Sequence, residues 1–142
     1  METKFNFNLQ ICTTREQSER LIALGLKKET ADMSWVLTDE DREGKEYSVE
    51  YISIGQGKYQ LLHPDWYTPA WSLGRLIEMM PLDVVPEGGF DNIFTLKKGY
   101  PRGYSIEYDG FSYYYKENVY DTIIEGIEHL IKEGYFNKEY LV

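Results

Sequence analysis

The sequence predicts an α+β fold in which an antiparallel sheet of strand meanders is packed by about three helices. Runs of alternating apolar and polar residues indicate half-buried strands, and an aspartate-glycine pair between two such runs indicates a hairpin. A helical stripe of apolar residues follows that hairpin and can cover the sheet. The length of 142 residues fits a single domain, so we expect residues 1–142 to form one unit.

The segment Tyr104–Tyr115 carries the strongest single pattern. Asp109-Gly110 is a preferred two-residue loop of a type I′ hairpin, because both positions need φ > 0. This loop would pair Ile106 with Tyr113. A shift by one residue would turn the aromatic side chains to the other face, so we expect the pattern to fix the register. The predicted apolar face consists of Tyr104, Ile106, Tyr108, Phe111, Tyr113 and Tyr115.

The first part of the chain predicts a strand followed by a helix. Apolar residues alternate along a predicted strand over residues 5–12, and they are Phe5, Phe7, Leu9 and Ile11. Thr13 and Thr14 are alternative caps of the helix, because a capping-box partner lies three residues after each. The helix is predicted to run to about Leu24, where Gly25 and Leu26 end it in a Schellman motif.

Three further strands are predicted before the second helix, over residues 34–38, 47–54 and 58–62. A charged connection over residues 39–45 joins the first two, and we interpret it as a solvated hairpin loop. Asp39, Asp41 and Glu43 alternate within it and raise a metal-site alternative, but the central glycine and final helical glutamate of a calcium loop are missing. We therefore predict no metal site.

The second helix is predicted to follow an aromatic loop over residues 63–71. Ser72 is its expected cap, and Thr68 with Pro69 is an alternative, longer start. Pro81 ends the helix, because proline cannot continue it. A loop over residues 82–91 and a strand over 92–98 then lead into the hairpin.

The last helix is predicted to start at Glu117 or Asn118 and to stop at Gly134. Its apolar residues recur at helical spacing and are Tyr120, Ile123, Ile124, Ile127, Leu130 and Ile131. We expect this stripe to pack on the apolar face of the hairpin.

The composition excludes several classes of protein. Hydrophobic residues make up 42% of the chain and aromatic residues 15%, which is too apolar for a disordered protein. The net charge of −9 argues against generic binding to nucleic acid or anionic membranes. Cys12 is the single cysteine, so a disulfide within the chain is excluded. With neither a secretory signal nor an apolar run of roughly 20 residues, we expect a cytoplasmic protein without cofactors or contact with the membrane.

Residues suited to catalysis are few. His63 lies two residues before Asp65, and this pair can act as a base and its orienting partner; the alternative is a turn beside Pro64. His129 is predicted to lie on the surface. Cys12 is either a small core residue or a thiol whose pKa is lowered by the following helix N-terminus.

Two aromatic groups are candidates for binding. Trp66, Tyr67 and Trp71 precede the second helix and can form a groove or a protein-contact site; the alternative is that they close one end of the core. Tyr100 and Arg102 lie beside two lysines, a combination that can contact nucleic acid. The alternative is a solvent-facing strand end protected by charge.

Three segments together resemble small uncharacterised proteins of Bacteroides-type gut bacteria and of their phages and mobile elements. The segments are Ile11–Gln17 continuing to Leu24–Leu26, Thr68–Leu73 continuing to Leu76–Pro81, and Glu133–Phe136. The resemblance spans most of the chain, but its motifs are helix caps and helix stops. This chain departs from the pattern at Arg75, where the family has an acidic residue that completes a capping box. The resemblance implies an origin and no activity.

Three functions remain as hypotheses. The first is a non-enzymatic accessory or interaction protein that binds another protein or self-associates, with a prophage as its suggested origin. The second is an acidic inhibitor that imitates nucleic acid toward a nuclease or a DNA-binding protein, which requires clustered carboxylates. The third is a small hydrolase or transferase that uses His63 and Asp65.

Overall fold

The computed structural model describes residues 10–39, 46–51, 67–84, 92–99, 103–108 and 112–142. The helices in these ranges are α1 (Arg15–Ala23), α2 (Leu73–Met79) and α3 (Val119–Glu133). The strands are β1 (Met33–Asp39), β2 (Glu46–Tyr51), β3 (Tyr67–Ala70), β4 (Asp83–Val84), β5 (Asn92–Gly99), β6 (Gly103–Tyr108) and β7 (Ser112–Lys116). Short 3-10 turns occupy Lys28–Thr30 and Lys138–Tyr140.

The described strands form two antiparallel sheets, in the orders β2-β1-β3 and β4-β5-β6-β7. Together with the helices in the same part of the chain, this arrangement confirms the predicted α+β class with about three helices. In that part of the chain, no helix is both long enough and apolar enough to cross a membrane.

Helix α3 forms the centre of the main core. The predicted stripe is confirmed, since five of its residues are buried: Tyr120, Ile123, Ile124, Ile127 and Leu130. They belong to the same buried cluster as Ile106 and Tyr108 of β6, and Leu21 of α1 and Leu76 of α2 complete it from the other sides. The stripe therefore holds β6, α1 and α2 in one core.

The helix ends follow the local sequence signals. Thr14 caps α1 in a capping box with Gln17, as predicted. Gly25 has φ of 102°, and the Leu26 N–H donates to the Leu21 carbonyl at 3.2 Å, which confirms the Schellman end.

The predicted caps and stops of α3 and α2 are also confirmed. Asn118 caps α3 by accepting from the backbone N–H groups of Tyr120 and Asp121, and Gly134 ends the helix with φ of 81°. Ser72 caps α2, which ends before Pro81.

The predicted register of the β6–β7 hairpin is wrong by one residue. Ile106 lies opposite Tyr114 instead of Tyr113, and Tyr108 lies opposite Ser112. Residues 109–111 therefore lie between the paired residues, instead of the predicted two-residue loop. The predicted apolar face includes Phe111, Tyr113 and Tyr115, whose side chains lie outside what the structure describes.

In the observed register β6 and β7 both pack against α3, and this packing overrides the local loop preference. The Thr122 hydroxyl of α3 lies 3.0 Å from the carbonyl oxygen of Asn118, 3.2 Å from that of Tyr104 and 3.4 Å from that of Lys116, and the last two residues pair with each other.

Part of the predicted aromatic loop is a strand. Residues Tyr67–Ala70 form β3 and pair with β1, with Thr68 opposite Trp35. Pro69 is tolerated because β3 lies at the edge of the described sheet, where a missing N–H breaks no ladder. The alternative helix start at Thr68 and Pro69 is therefore wrong.

Other predicted elements lie partly or wholly outside the described residues. This applies to most of the first predicted strand, to the strand over 58–62 and to the connection over 40–45. Residues 10–12 are not in a strand, and Ile11 is 50% exposed. The predicted loop over 82–91 contains the short strand β4, which pairs with β5.

Substituting alanine for each of two glycines on α3 should change the free energy of unfolding in opposite directions. A Cβ built on Gly126 lies 3.7 Å from the nearest atoms, Ile106 Cδ1 and Met80 Cε, which is ordinary van der Waals contact. We expect Gly126→Ala to raise the free energy of unfolding by about 0.5–1 kcal/mol, because alanine has the higher helix propensity.

Gly134→Ala should instead lower the free energy of unfolding by about 1 kcal/mol, because a side chain is disfavoured at positive φ. Urea unfolding of the two variants and the original chain measures both effects. If Gly126→Ala lowers the free energy of unfolding, the space between α3 and β6 is too small for the added methyl group, which would contradict the structure.

Candidate functional site

The structure describes four of the residues considered for catalysis or binding: Cys12, Tyr67, Trp71 and His129. His63, Asp65, Trp66, Tyr100 and Arg102 lie outside the described residues, so the functions suggested for them stay predictions. Tyr67 begins β3 and is half-buried, and Trp71 follows that strand. His129, predicted on the surface, is half-buried on α3.

Trp71 is a core residue, which is one of the two alternatives considered for it. Its side chain is fully buried, and its indole Nε1–H donates to Thr30 Oγ1 at 2.9 Å. Its backbone N–H donates to Thr13 Oγ1 at 3.0 Å, and its carbonyl accepts from the Thr13 N–H at 2.9 Å. Trp71 therefore supports the turn that contains Thr30 from inside.

The basic residues near the hairpin are engaged with their own sheet. Lys97 Nζ lies 3.0 Å from Glu107 Oε2, and Lys98 Nζ lies 6.0 Å from the centroid of the Tyr104 ring. Both lysines are exposed. This placement fits the alternative of a charged, solvent-facing strand.

A half-buried polar cluster forms where the segment before α1, the start of β1 and the start of α2 meet. Ser72 Oγ donates to Asp32 Oδ2 at 2.5 Å, and the Ser72 N–H donates to Asp32 Oδ1 at 2.8 Å. A serine beside a carboxylate can act as a nucleophile with its base. Here the same hydroxyl accepts the Arg75 N–H at 3.1 Å, so the pair caps α2 and ties it to β1.

Cys12 lies in the same region and is 2% exposed. Burial, with a smaller contribution from the Asp32 carboxylate, raises the pKa of its thiol from 9.0 to about 11. The alternative of a thiol activated by the α1 N-terminus is therefore wrong, because the thiol stays protonated at neutral pH.

Tyr120 is the second buried acid of this region. Burial first, then the charges of Cys12 and Asp32, raise the pKa of its hydroxyl to about 12, against a lowering by the Leu73 backbone. The hydroxyl donates to the Gln10 carbonyl at 3.1 Å. Cys12 and Tyr120 therefore both stay protonated at neutral pH. Among the described residues there is no group of three side chains of the kinds that hold a metal ion.

A concave feature with an apolar lining lies at the C-terminal end of α1. We call it the α1–tail groove, and it is lined by Ile22, Leu26, Lys27, Lys28, Glu29 and Val142 around a volume of about 650 Å³. A smaller cavity of about 230 Å³ adjoins it at Glu29 and is lined further by Thr30, Arg75, Glu78, Met79 and Tyr140.

Backbone pairing forms the walls of the groove. After Gly25 turns the chain out of α1, Leu26 pairs with Leu141 in an isolated bridge. The Lys27 N–H donates to the Tyr140 carbonyl, and the Val142 N–H donates to the Gly25 carbonyl, each at 2.8 Å. Two stretches more than 100 residues apart in sequence therefore create this site.

Lys27 and Lys28 are exposed at the rim of the groove. Neither forms an ion pair with any residue that the structure describes. Other cations do, including Arg20 with Glu128 at 2.7 Å and Lys116 with Glu125 at 3.4 Å. The groove thus combines an apolar interior with two lysines and one glutamate, Glu29, at its rim.

Sequence reasoning missed this groove. Adjacent lysines in an acidic chain are a weak signal for it, but nothing local predicts that residue 142 lies beside residue 27.

The raised pKa values predict a loss of stability at alkaline pH. Unfolded Cys12 releases its proton near pH 9, whereas folded Cys12 holds it until about pH 11. The folded state therefore binds more protons in this interval, and stability falls as the pH rises through it. Tyr120 extends the loss to about pH 12.

We expect the Cys12 contribution to be on the order of 2 kcal/mol. Urea unfolding in reducing buffer, from about pH 8 to about pH 11, compares the original chain with Cys12→Ala. The variant should lose less stability over the interval, because the shifted thiol is gone. If the free energy of unfolding falls equally with pH in the two chains, Cys12 is not a buried, neutral thiol.

No family model matches the chain, and neither the curated proteins nor the solved structures contain a match to it. Its function is therefore inferred from its own geometry and charge.

Proposed function

We propose that the chain is a small non-enzymatic interaction protein that binds another protein through the α1–tail groove. The observation that carries the proposal is the apolar groove of about 650 Å³ beside two lysines without ion-pair partners in the described part of the chain. A cytoplasmic location belongs to the same proposal. So does the origin that the resemblance implies, a Bacteroides-type bacterium or one of its phages or mobile elements.

The reactive groups in the described part of the chain support a non-enzymatic role. Cys12 is held neutral by burial, and Asp32 and Ser72 bind each other at the cap of α2. A catalytic nucleophile needs a base that is free to take its proton and a space for substrate beside both. The hypothesis of catalysis by His63 and Asp65 stays a prediction, since both lie outside the described residues.

The shape and charge of the groove favour a different protein as partner over a second copy. A two-fold dimer places the same surface patch of both copies against each other. Two concave grooves would leave empty space, and Lys27 and Lys28 would face their own counterparts. Juxtaposed like charges oppose such an interface.

The hypothesis of an acidic inhibitor that imitates nucleic acid receives less support. The chain carries 15 lysines and arginines beside its 24 aspartates and glutamates, so charges of both signs are present. Several carboxylates are engaged in ion pairs, as Glu107 is with Lys97 and Glu128 is with Arg20. Interspersed charges of both signs do not present the continuous negative surface of a phosphate backbone.

Capture experiments with groove variants test the proposal. The full chain is immobilised and exposed to a lysate of Bacteroides-type cells, and retained proteins are quantified by mass spectrometry. We expect a specific protein to be retained, and its recovery to fall about tenfold with Ile22→Ser, because an apolar contact in the groove is lost. Val142→Asp should have a similar effect without disturbing the core, since Val142 is 96% exposed.

Ile93→Ser is the matched control, because Ile93 is 61% exposed on β5 and does not line the groove. It should leave recovery unchanged. Thermal unfolding verifies that Ile22→Ser is folded at the temperature of capture. Light scattering that finds a strict monomer, together with no retained protein, would contradict the proposal, as would equal retention by the original chain and both groove variants.

A further inference from the structure

We propose that the ligand of the α1–tail groove is an acidic peptide segment that carries large apolar side chains. This inference rests on the proposed function and specifies the chemistry of the partner. It is argued from the lining of the groove, from the charges at its rim and from the cavity that adjoins it.

The interior of the groove suits apolar side chains. Ile22 and Leu26 contribute hydrocarbon surface, and the stems of Lys27 and Lys28 extend it toward the rim. A volume of about 650 Å³ lies within the usual size range of small-ligand sites. Side chains such as leucine or phenylalanine would therefore lose water-exposed surface on entering it.

The rim selects the charge of the segment. Lys27 and Lys28 project from a chain whose net charge is −9, so the groove differs from the chain's average charge in sign. At physiological salt, charges separated by more than about 8 Å are largely screened. A carboxylate seated in the groove therefore responds to the two nearby lysines more than to distant acidic residues.

Glu29 is the opposing charge at the rim, and it lies between the lysines and a third cation. It lines both the groove and the adjoining cavity that contains Arg75. Arg75 Nη1 lies 3.2 Å from Glu78, but this pair is exposed and such pairs contribute little. An extended acidic segment crossing the Lys28–Thr30 turn would meet both lysines and then Arg75. Glu29 and Glu78, which also line this cavity, would repel it.

Selection from a random-peptide display library tests the inference before any natural partner is identified. The full chain is the bait, and peptides that compete for the groove are identified by their loss with Ile22→Ser. We expect the selected peptides to be enriched in aspartate or glutamate beside leucine, phenylalanine or tryptophan. Selected sequences without acidic enrichment, or no groove-dependent peptides at all, would overturn the inference.

Fluorescence anisotropy with the strongest selected peptide then measures how much each charged residue contributes to the affinity. The double variant Lys27→Glu/Lys28→Glu should bind about tenfold more weakly, whereas Glu29→Gln should bind about twofold more tightly because repulsion is removed. The double variant Lys98→Glu/Lys132→Glu makes the same change in net charge at two residues that do not line the groove. It should bind the peptide as the original chain does. An equal loss in both double variants would show dependence on total charge alone and would overturn the inference.

The partner captured from lysate distinguishes this inference from the function on which it depends. If Ile22→Ser abolishes capture but Lys27→Glu/Lys28→Glu retains it, the groove binds a protein whose contact is not acidic, and the inference alone fails. If neither groove variant changes capture, the proposed function fails as well.

Discussion

The burial of the apolar stripe on α3 is the constraint on which the other elements depend. Tyr120, Ile123, Ile124, Ile127 and Leu130 are each at most 3% exposed, and they contact strand, helix and loop residues on several sides. Burying one large apolar side chain contributes about 1.5–3 kcal/mol. Since β6, α1 and α2 all cover this stripe, fixing α3 fixes where each of them can lie.

The two ends of α3 then determine the position of α1. At the first end, Gln17 Nε2 donates to Asp121 Oδ1 at 2.7 Å, so the capping groups of the two helices are joined. At the other end, Gly134 turns the chain back, and its tail brings the Tyr140 carbonyl to the Lys27 N–H. α1 is therefore tied to α3 at its first end, and the segment after its second end is tied to the tail that follows α3. The α1–tail groove lies at the second of these junctions, so its walls are a consequence of the core.

The sequence predicts the features that depend on neighbours a few residues away. Thr14, Gly25, Ser72, Asn118 and Gly134 are all recognisable, because capping chemistry operates between residues two to five positions apart. The hairpin register is not recognisable, because it depends on how β6 and β7 pack against α3. β3 and the groove escape prediction for the same reason. Each needs a partner that is distant in sequence and carries no local motif.

Trp71 links the predicted and the observed sites. The sequence suggests that Trp71 binds a partner or closes the core, and in the structure it is buried beneath the rim of the groove. Its indole donates to Thr30 Oγ1, and that hydroxyl donates in turn to the Lys27 carbonyl at 2.6 Å. The rim of the groove is thus anchored to the core through hydrogen bonds before any ligand arrives. A site ordered in advance loses less conformational entropy on binding, which favours the binding of the acidic segment that we propose as its ligand.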